Sequence, residues 1–361
     1  ICKRDLMVHA PYHSYDPILR FFNEAANDTS VEEISTTLYR VASDSRIAQA
    51  LISAAKNGKK VFVLVELKAR FDEANNIRWA KQMKLAGVRI MYSNNELKVH
   101  AKIALVKRRD SLLPYLGLMA TGNLNETTAR FYTDHILLTA RQEILGEMNE
   151  LFEFLSRRKK PEPKSNGGFR SLLVAQFNLQ DDFLAMIDRE TEHARNGKYA
   201  AITIKMNNLE EEGMIKRLYE ASNAGVVIEL IVRGICRLVP GITGQSTNIR
   251  VRRIIDRYLE HGRVFIFHNG GQEQMFMGSA DWMTRNIYRR VEVCFPVVDE
   301  RLKKQVREII QIQLQDNVQA VWITSDLSNP PVVTTAAAVR SQEAIYHFLE
   351  QQERDFVNDT D

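Results

Sequence analysis

Two histidines are each followed, two positions on, by a base: His100 with Lys102, and His261 with Arg263. On a strand, the period of two turns both side chains of such a pair to one face. A cation beside an imidazole suits an anionic substrate better than a core. It binds phosphate oxygens while a neutral imidazole, with an unperturbed pKa of ~6.5, attacks phosphorus or moves a proton. One such pair alone reads more readily as a half-exposed strand with a stray histidine. Two pairs in corresponding places of a repeated unit argue for chemistry, with each histidine contributing half of one site.

Other groups extend the pattern. Segments 122–125 and 278–281 follow strand-like runs, and their small and amide residues leave backbone N–H groups able to cup phosphate oxygens; an ordinary glycine–asparagine turn is the alternative. Tyr132 and Asp134 lie just beyond the first turn and share a face. Asp134 is expected to orient His100, as carboxylates behind functional imidazoles do, with a surface ion pair as the other reading. Arg40, Arg70 and Arg233 end strand-like runs, with Lys205 matched to Arg40, and the C-terminal ends of strands are where α/β sheets take ligands. Arg285, Arg289 and Arg290 add positive charge beside the second turn. His9 and His13, near Tyr12, look like a metal cluster but lack a matching carboxylate or cysteine, which favours a loop beside the site. His135, His193 and His347 read as packing or surface positions.

The elements that must position these residues follow from hydrophobic period. Strand-like stretches at 6–10, 61–67, 88–92, 97–106 and 116–120 alternate with helical ones at 18–26, 45–56 and 73–86, which predicts α/β layers. Asp16 and Pro17 are expected to cap and open the first helix. A Lys/Pro/Gly/Ser stretch at 157–168 reads as a linker, after which the pattern restarts. The run TGNLNETTARFYTDHILLT at 121–139 is echoed by MGSADWMTRNIYRRVEVCF at 277–295. A constant offset of 156 there pairs Gly122 with Gly278, Asn125 with Asp281, Thr128 with Thr284 and Tyr132 with Tyr288. Internal duplication is the inference, with one domain over 1–165 and a second over 166–361 that ends in a helical tail.

Composition narrows the class. The 361 residues carry 49 Lys+Arg against 45 Asp+Glu, a net charge of +4, which is too little for a protein that coats nucleic acid along its whole surface. No tryptophan stripe for stacking bases is present. The three cysteines are widely spaced and expected to be reduced, as in the cytoplasm. No apolar run approaches the ~18 residues of a membrane span. The opening Ile1-Cys2-Lys3-Arg4, running at once into a strand, looks like a piece of a longer protein.

Paired HxK-like units in a duplicated α/β chain resemble the phospholipase D superfamily, and a closer likeness covers nearly the whole chain. LYRVASDSRIAQALISAAKNGKKVFVLVELKARFDEANNIRWAKQMKLAGV, KVHAKI, TGNLNETTARFYTD, IVRGICRLVPGI, DRYLEHGRVFIF and SADWMTRN resemble the C-terminal catalytic half of the class-1 polyphosphate kinase family. The resemblance implies two duplicated phospholipase D-like domains, each a mixed sheet flanked by helices. It implies reversible transfer of the ATP γ-phosphate to inorganic polyphosphate through a phosphohistidine, with Mg2+ and ATP/ADP. By motif, the nucleophile is His100 in KVHAKI, and His261 in YLEHGR is the second essential histidine, against the nucleotide phosphates and a candidate general acid. Tyr132 and Arg233 correspond to ATP-contacting positions, and Arg40 and Arg70 to the magnesium–phosphate site. An arginine has no lone pair to offer a metal, so these two are expected to hold the phosphate oxygens that bind the ion. Lys102, Arg263 and Arg290 are expected to stabilise phosphate charge. Upstream domains, a homo-oligomer and a cytoplasmic location, with peripheral attachment to the membrane left open, complete the expectation. A phospholipase D-like phosphodiesterase is the alternative, but its usual HxKx4D pattern fails at Lys107, and the second copy has Arg263 for lysine. A non-catalytic polyanion-binding module is the third reading.

Overall fold

Runs rich in valine, isoleucine and threonine alternate with amphipathic stretches, and the chain folds as strands and helices in turn. The computed structural model describes residues 1–66, 73–93, 98–109, 112–157 and 168–358, without the side chains of 356–358. It divides into two units. One comprises Ile1–Asp182, Met277–Ala280 and Thr284–Pro296, the other Phe183–Phe276, Asp281–Met283 and Val297–Asp361.

The first unit begins with β1 (Leu6–Ala10), α1 (Asp16–Asn27), β2 (Val31–Leu38), α2 (Arg46–Lys56), β3 (Lys60–Val65), α3 (Glu73–Leu85) and β4 (Arg89–Tyr92). It continues with β5 (Lys98–Val99), β6 (Ile103–Arg108), β7 (Tyr115–Ala120), β8 (Tyr132–Thr139), α4 (Gln142–Ser156) and β9 (Leu173–Val174). Its sheet runs β1-β8-β7-β6-β2-β3-β4, parallel from β2 to β4 and antiparallel elsewhere. Ile34, Val63, Ala104, Leu118 and Ile136 of this sheet pack with Phe22 of α1 and Leu51 of α2 in one apolar core. Complete burial of a valine, leucine, isoleucine or phenylalanine there contributes roughly 1.5–3 kcal/mol. Ser45 caps α2, its hydroxyl accepting the Ala48 N–H at 3.2 Å. The expected cap of α1 differs. Asp16 is already helical, and its carboxylate accepts the Ser14 hydroxyl at 3.0 Å, while Pro17 sits in the first turn.

The expected strand over 97–106 is broken, and Leu97 lies outside the described residues. β5 is only two residues long and β6 starts at Ile103, with His100, Ala101 and Lys102 between them. The cause is a change of pairing partner: the ladder of β6 goes to β2 and β7, whereas the N–H groups of His100 and Ala101 both reach the Val291 carbonyl, at 2.9 and 3.1 Å.

From α5 (Leu179–Arg195) onward the chain builds the second unit, with β10 (Ala201–Met206), α6 (Glu212–Ala224), β11 (Val227–Val232), β12 (Ile249–Ile254), β13 (Leu259–Glu260), β14 (Arg263–Phe267) and β15 (Gln274–Gly278). It then returns to the first unit with α7 (Thr284–Arg289), β16 (Arg290–Val291) and β17 (Val293–Pro296), and closes in the second with α8 (Glu300–Gln315), β18 (Ala320–Ile323) and α9 (Ser341–Asn358). β10 is flanked by parallel β11 and antiparallel β14, with β12 parallel beyond β11. This repeats the placing of β3, β6 and β4 about β2. The antiparallel β17–β9 pair of the first unit likewise repeats β8–β1. The duplicated mixed α/β fold expected from the sequence is what the chain adopts.

Candidate functional site

His100 sits where β5 ends, and its neighbour is set by register. β16 lies parallel to β5 with Val291 opposite Val99, so the residue after Val291 falls beside the residue after Val99. That residue is Glu292, whose carboxylate lies 2.8 Å from His100 Nδ1. The imidazole is 12% exposed and Glu292 fully buried. Burial drives the His100 pKa down to about 3 against the opposing pull of Glu292, with Lys102 adding to the depression. Burial would raise Glu292, but the His100 ring and its hydrogen bond, the Lys102 charge and the Ser279 hydroxyl outweigh it and hold the carboxyl below its ordinary range. Ser279 Oγ and Asn286 Nδ2 donate to its two oxygens, each at 2.5 Å. A neutral ring whose Nδ1–H donates a hydrogen bond to a carboxylate keeps its lone pair on Nε2, the form a nucleophile needs. Lys102, buried, turns its ammonium back onto the His100 carbonyl and lies 5.0 Å from the centre of the Tyr39 ring, which itself meets the imidazole edge-on at 4.7 Å.

The carboxylate at this place was expected to be Asp134. Asp134 instead takes the Thr121 hydroxyl at 2.7 Å, and it stands to Glu292 as one repeat to the other. Thr121 and His135 exchange N–H to carbonyl and N–H to hydroxyl bonds, and Ser279 and Val293 exchange the same two. Asp134 lies opposite Ala10 on β1, and the Glu292 carbonyl accepts the Ala175 N–H just beyond β9. The structural offset is therefore 158 here, two more than the 156 read from residue types. A slip of two keeps every side chain on its face, so alternation alone could not expose it. The mark of Glu292 in the sequence was a charge between valines, Val291-Glu292-Val293, within a run with the pattern of a buried strand.

The two glycine turns are tightly packed. A Cβ on Gly122 would lie 1.8 Å from an Asp134 oxygen, and one on Gly278 2.4 Å from Cys294 Sγ. The Asn125 side-chain oxygen accepts the N–H groups of Thr127 and Thr128, and its amide donates to the Arg40 carbonyl at 3.3 Å. Arg40 lies two residues past β2 and is half-buried. Tyr132 opens β8 and Arg290 opens β16, both half-buried. Arg70 lies outside the described residues. His9 and His135, opposite each other on β1 and β8, are buried with their Nδ1 atoms 2.7 Å apart. Among the described residues no three His, Cys, Asp or Glu side chains meet in a way that could hold a metal.

In the second unit His261 follows β13 as His100 follows β5. Arg263 repeats the gesture of Lys102, its Nη1 donating to the His261 carbonyl at 2.9 Å. Asp281 grips the other side of the guanidinium, at 3.2 Å to Nε and 3.4 Å to Nη2. Burial would raise Asp281, yet the charge and hydrogen bonds of Arg263, with the Asn207 N–H and the Asn208 amide, hold it at about 2. Asn207 joins the set: its side-chain oxygen accepts Arg233 Nε and Nη2 at 3.1 and 3.0 Å, its amide donates to the His261 carbonyl at 3.1 Å, and its N–H to Asp281 at 2.9 Å. Asn207 and Asn208 are additions to the residues read from the sequence; an Asn-Asn pair straight after a strand is their signal there. Lys205 is not the counterpart of Arg40. It lies inside β10, buried, with its ammonium 2.5 Å from Glu260.

The depressed His100 pKa fixes a sign for acid sensitivity. The unfolded chain takes a proton on this ring near pH 6.5, whereas the folded chain does so only near 3. Stability from this group is complete above about pH 6.5 and is lost as pH falls toward 3, by up to about 2 kcal/mol at pH 5. Urea midpoints at pH 7.5 and 5 should therefore lie closer together in His100→Gln than in the parent; equal separations would contradict the depressed value.

The chain is similar to known proteins along nearly its whole length. The family description "Polyphosphate kinase C-terminal domain 1" matches residues 1–161, and "Polyphosphate kinase C-terminal domain 2" matches 172–342. Polyphosphate kinases of Salmonella typhimurium and Escherichia coli K12 are each 45% identical over 357 residues, covering 98% of this chain and 51% of the relative. The crystal structure of polyphosphate kinase from Porphyromonas gingivalis superposes with a TM-score of 0.90 at 45% identity, covering 98% of this chain and 54% of that one. Phosphatidylserine synthase of Haemophilus influenzae shares the fold at 12% identity, with a TM-score of 0.59 over 99% of this chain and 94% of its own. The chain spans about half the length of the curated relatives it matches.

Proposed function

The chain belongs to the polyphosphate kinase family, and from that premise we propose that it carries out reversible transfer of the ATP γ-phosphate to inorganic polyphosphate through a phosphohistidine at His100. The observation that carries this reading is the imidazole, 12% exposed, whose Nδ1 lies 2.8 Å from the fully buried Glu292 carboxylate. Nε2 attacks the γ-phosphorus, the N–P bond forms, and the bond to the bridging oxygen breaks as ADP leaves. The ring becomes cationic in this step and keeps its Nδ1 proton, so the Glu292 carboxylate stabilises the charge that develops. The terminal oxygen of polyphosphate then attacks phosphorus, the N–P bond breaks, and the neutral ring returns.

The remaining work is positioning and charge neutralisation. Lys102, Arg290 and Arg40 supply cations; Arg233, Arg263 and His261 bind nucleotide phosphates, with Tyr132 a further ATP contact. Asp134 keeps a positioning role through Thr121. Magnesium enters as part of the substrate, MgATP. No protein cage for it is present among the described residues, and Arg40 and Arg70 hold phosphate oxygens that themselves bind the ion. Upstream domains, self-association and a cytoplasmic location belong to the same proposal; no described helix is long and apolar enough to cross a membrane.

The test is incubation of the intact protein with MgATP and a short polyphosphate primer. The primer should lengthen with one ADP released per phosphate added. ATP consumed without chain growth, or cleavage of a phosphodiester in its place, overturns the reading.

A further inference from the structure

β13 is two residues long, and the residue after it is His261. Side chains help to hold so short a strand. Glu260, 2% exposed, takes the Lys205 ammonium at 2.5 Å and the Gln313 amide at 2.9 Å on one oxygen, and the Gln342 amide at 2.8 Å on the other. Gln342 also brackets the backbone of Tyr258, accepting its N–H and donating to its carbonyl, both at 2.9 Å. Next to it, Arg340 grips Asp256 through Nε at 2.9 Å and Nη2 at 2.5 Å, and the Ser341 N–H donates to Asp316 at 2.8 Å. Positions 256, 258 and 260, the approach to His261, are thus each tied to residues 340–342 at the start of α9. A buried ion pair is a poor source of stability compared with apolar packing, whereas directional bonds to a saturated carboxylate specify one geometry.

We propose that Gln342 and Glu260 are positioning residues for His261, through which the start of the C-terminal helix fixes the strand that presents this histidine. The inference rests on the phosphotransfer reading above for what His261 does, and adds a dependence on a segment eighty residues downstream. Misplacing a phosphate-binding group by a fraction of an ångström is enough to slow transfer, since a 1 Å error costs on the order of a hundredfold.

The experiment is Gln342→Leu in the intact protein, alone and with His261→Ala, reading the single-turnover rate at which γ-labelled ATP marks His100. The rate should fall about tenfold when His261 is present and by less than about twofold when it is absent, because two changes that act through one group do not add. An equal fall in both backgrounds, or none in either, refutes the positioning role. An independent readout is the 15N-histidine spectrum: the His261 ring signals should move while those of His100 stay. His261 unmoved, or both moving together, refutes it as well. If Gln342→Leu does not fold, Gln313→Met removes a different donor from Glu260 and is judged by the same spectra. A parent protein that never labels His100 refutes the phosphotransfer reading, while the spectra still decide the positioning.

Discussion

Alanine at position 100 is expected to leave a folded protein that transfers no phosphoryl group, with ADP release from MgATP and polyphosphate reduced by about 10⁴-fold or more. Folding should survive because Glu292 keeps its bonds from Ser279 and Asn286 when the imidazole is gone. The loss of one charge-assisted hydrogen bond costs on the order of 1.5–3 kcal/mol. Activity within tenfold of the parent, in a protein with an unchanged circular dichroism spectrum, would remove His100 from the reaction path.

Glu292→Gln should be the next most damaging change, slowing transfer by roughly 10²- to 10⁴-fold with KM for ATP little altered. The amide is nearly isosteric, so its effect is chemical. A glutamine can donate to His100 Nδ1, which would leave the proton on Nε2 and take the lone pair away from the attacking atom. It also lacks the charge that stabilises the ring once phosphorus is bound. Glu292→Asp, which keeps the charge and shortens the reach, should lose less than the glutamine variant. A glutamine variant as active as the parent would show that Glu292 serves only packing.

How far the residues announced this arrangement depends on whether the cause was local. That His100 and Lys102 correspond to His261 and Arg263 was legible in their shared spacing, and in both units the base folds back onto the histidine carbonyl. The alternation of strands and helices was legible for the same reason. The break between β5 and β6 was not, since it arises from a choice between ladder partners nearly two hundred residues away in sequence. The carboxylate behind His100 was anticipated as a chemical type and assigned to Asp134, its counterpart in the other repeat, because a two-residue slip in the duplicated segment leaves the hydrophobic pattern unchanged. Lys205 looked like a strand-end cation because its partner, Glu260, stands 55 positions away.

The central claim, that His100 carries the phosphoryl group in transit, is tested most directly by the chemistry of a trapped label. The intact protein is mixed with γ-labelled ATP and Mg2+ without polyphosphate, quenched in alkali and digested. Label that is alkali-stable, acid-labile and confined to the peptide containing Lys98-Val99-His100 is the predicted result. Label on any other residue, or direct transfer to polyphosphate with no labelled protein on the time scale of turnover, would contradict it.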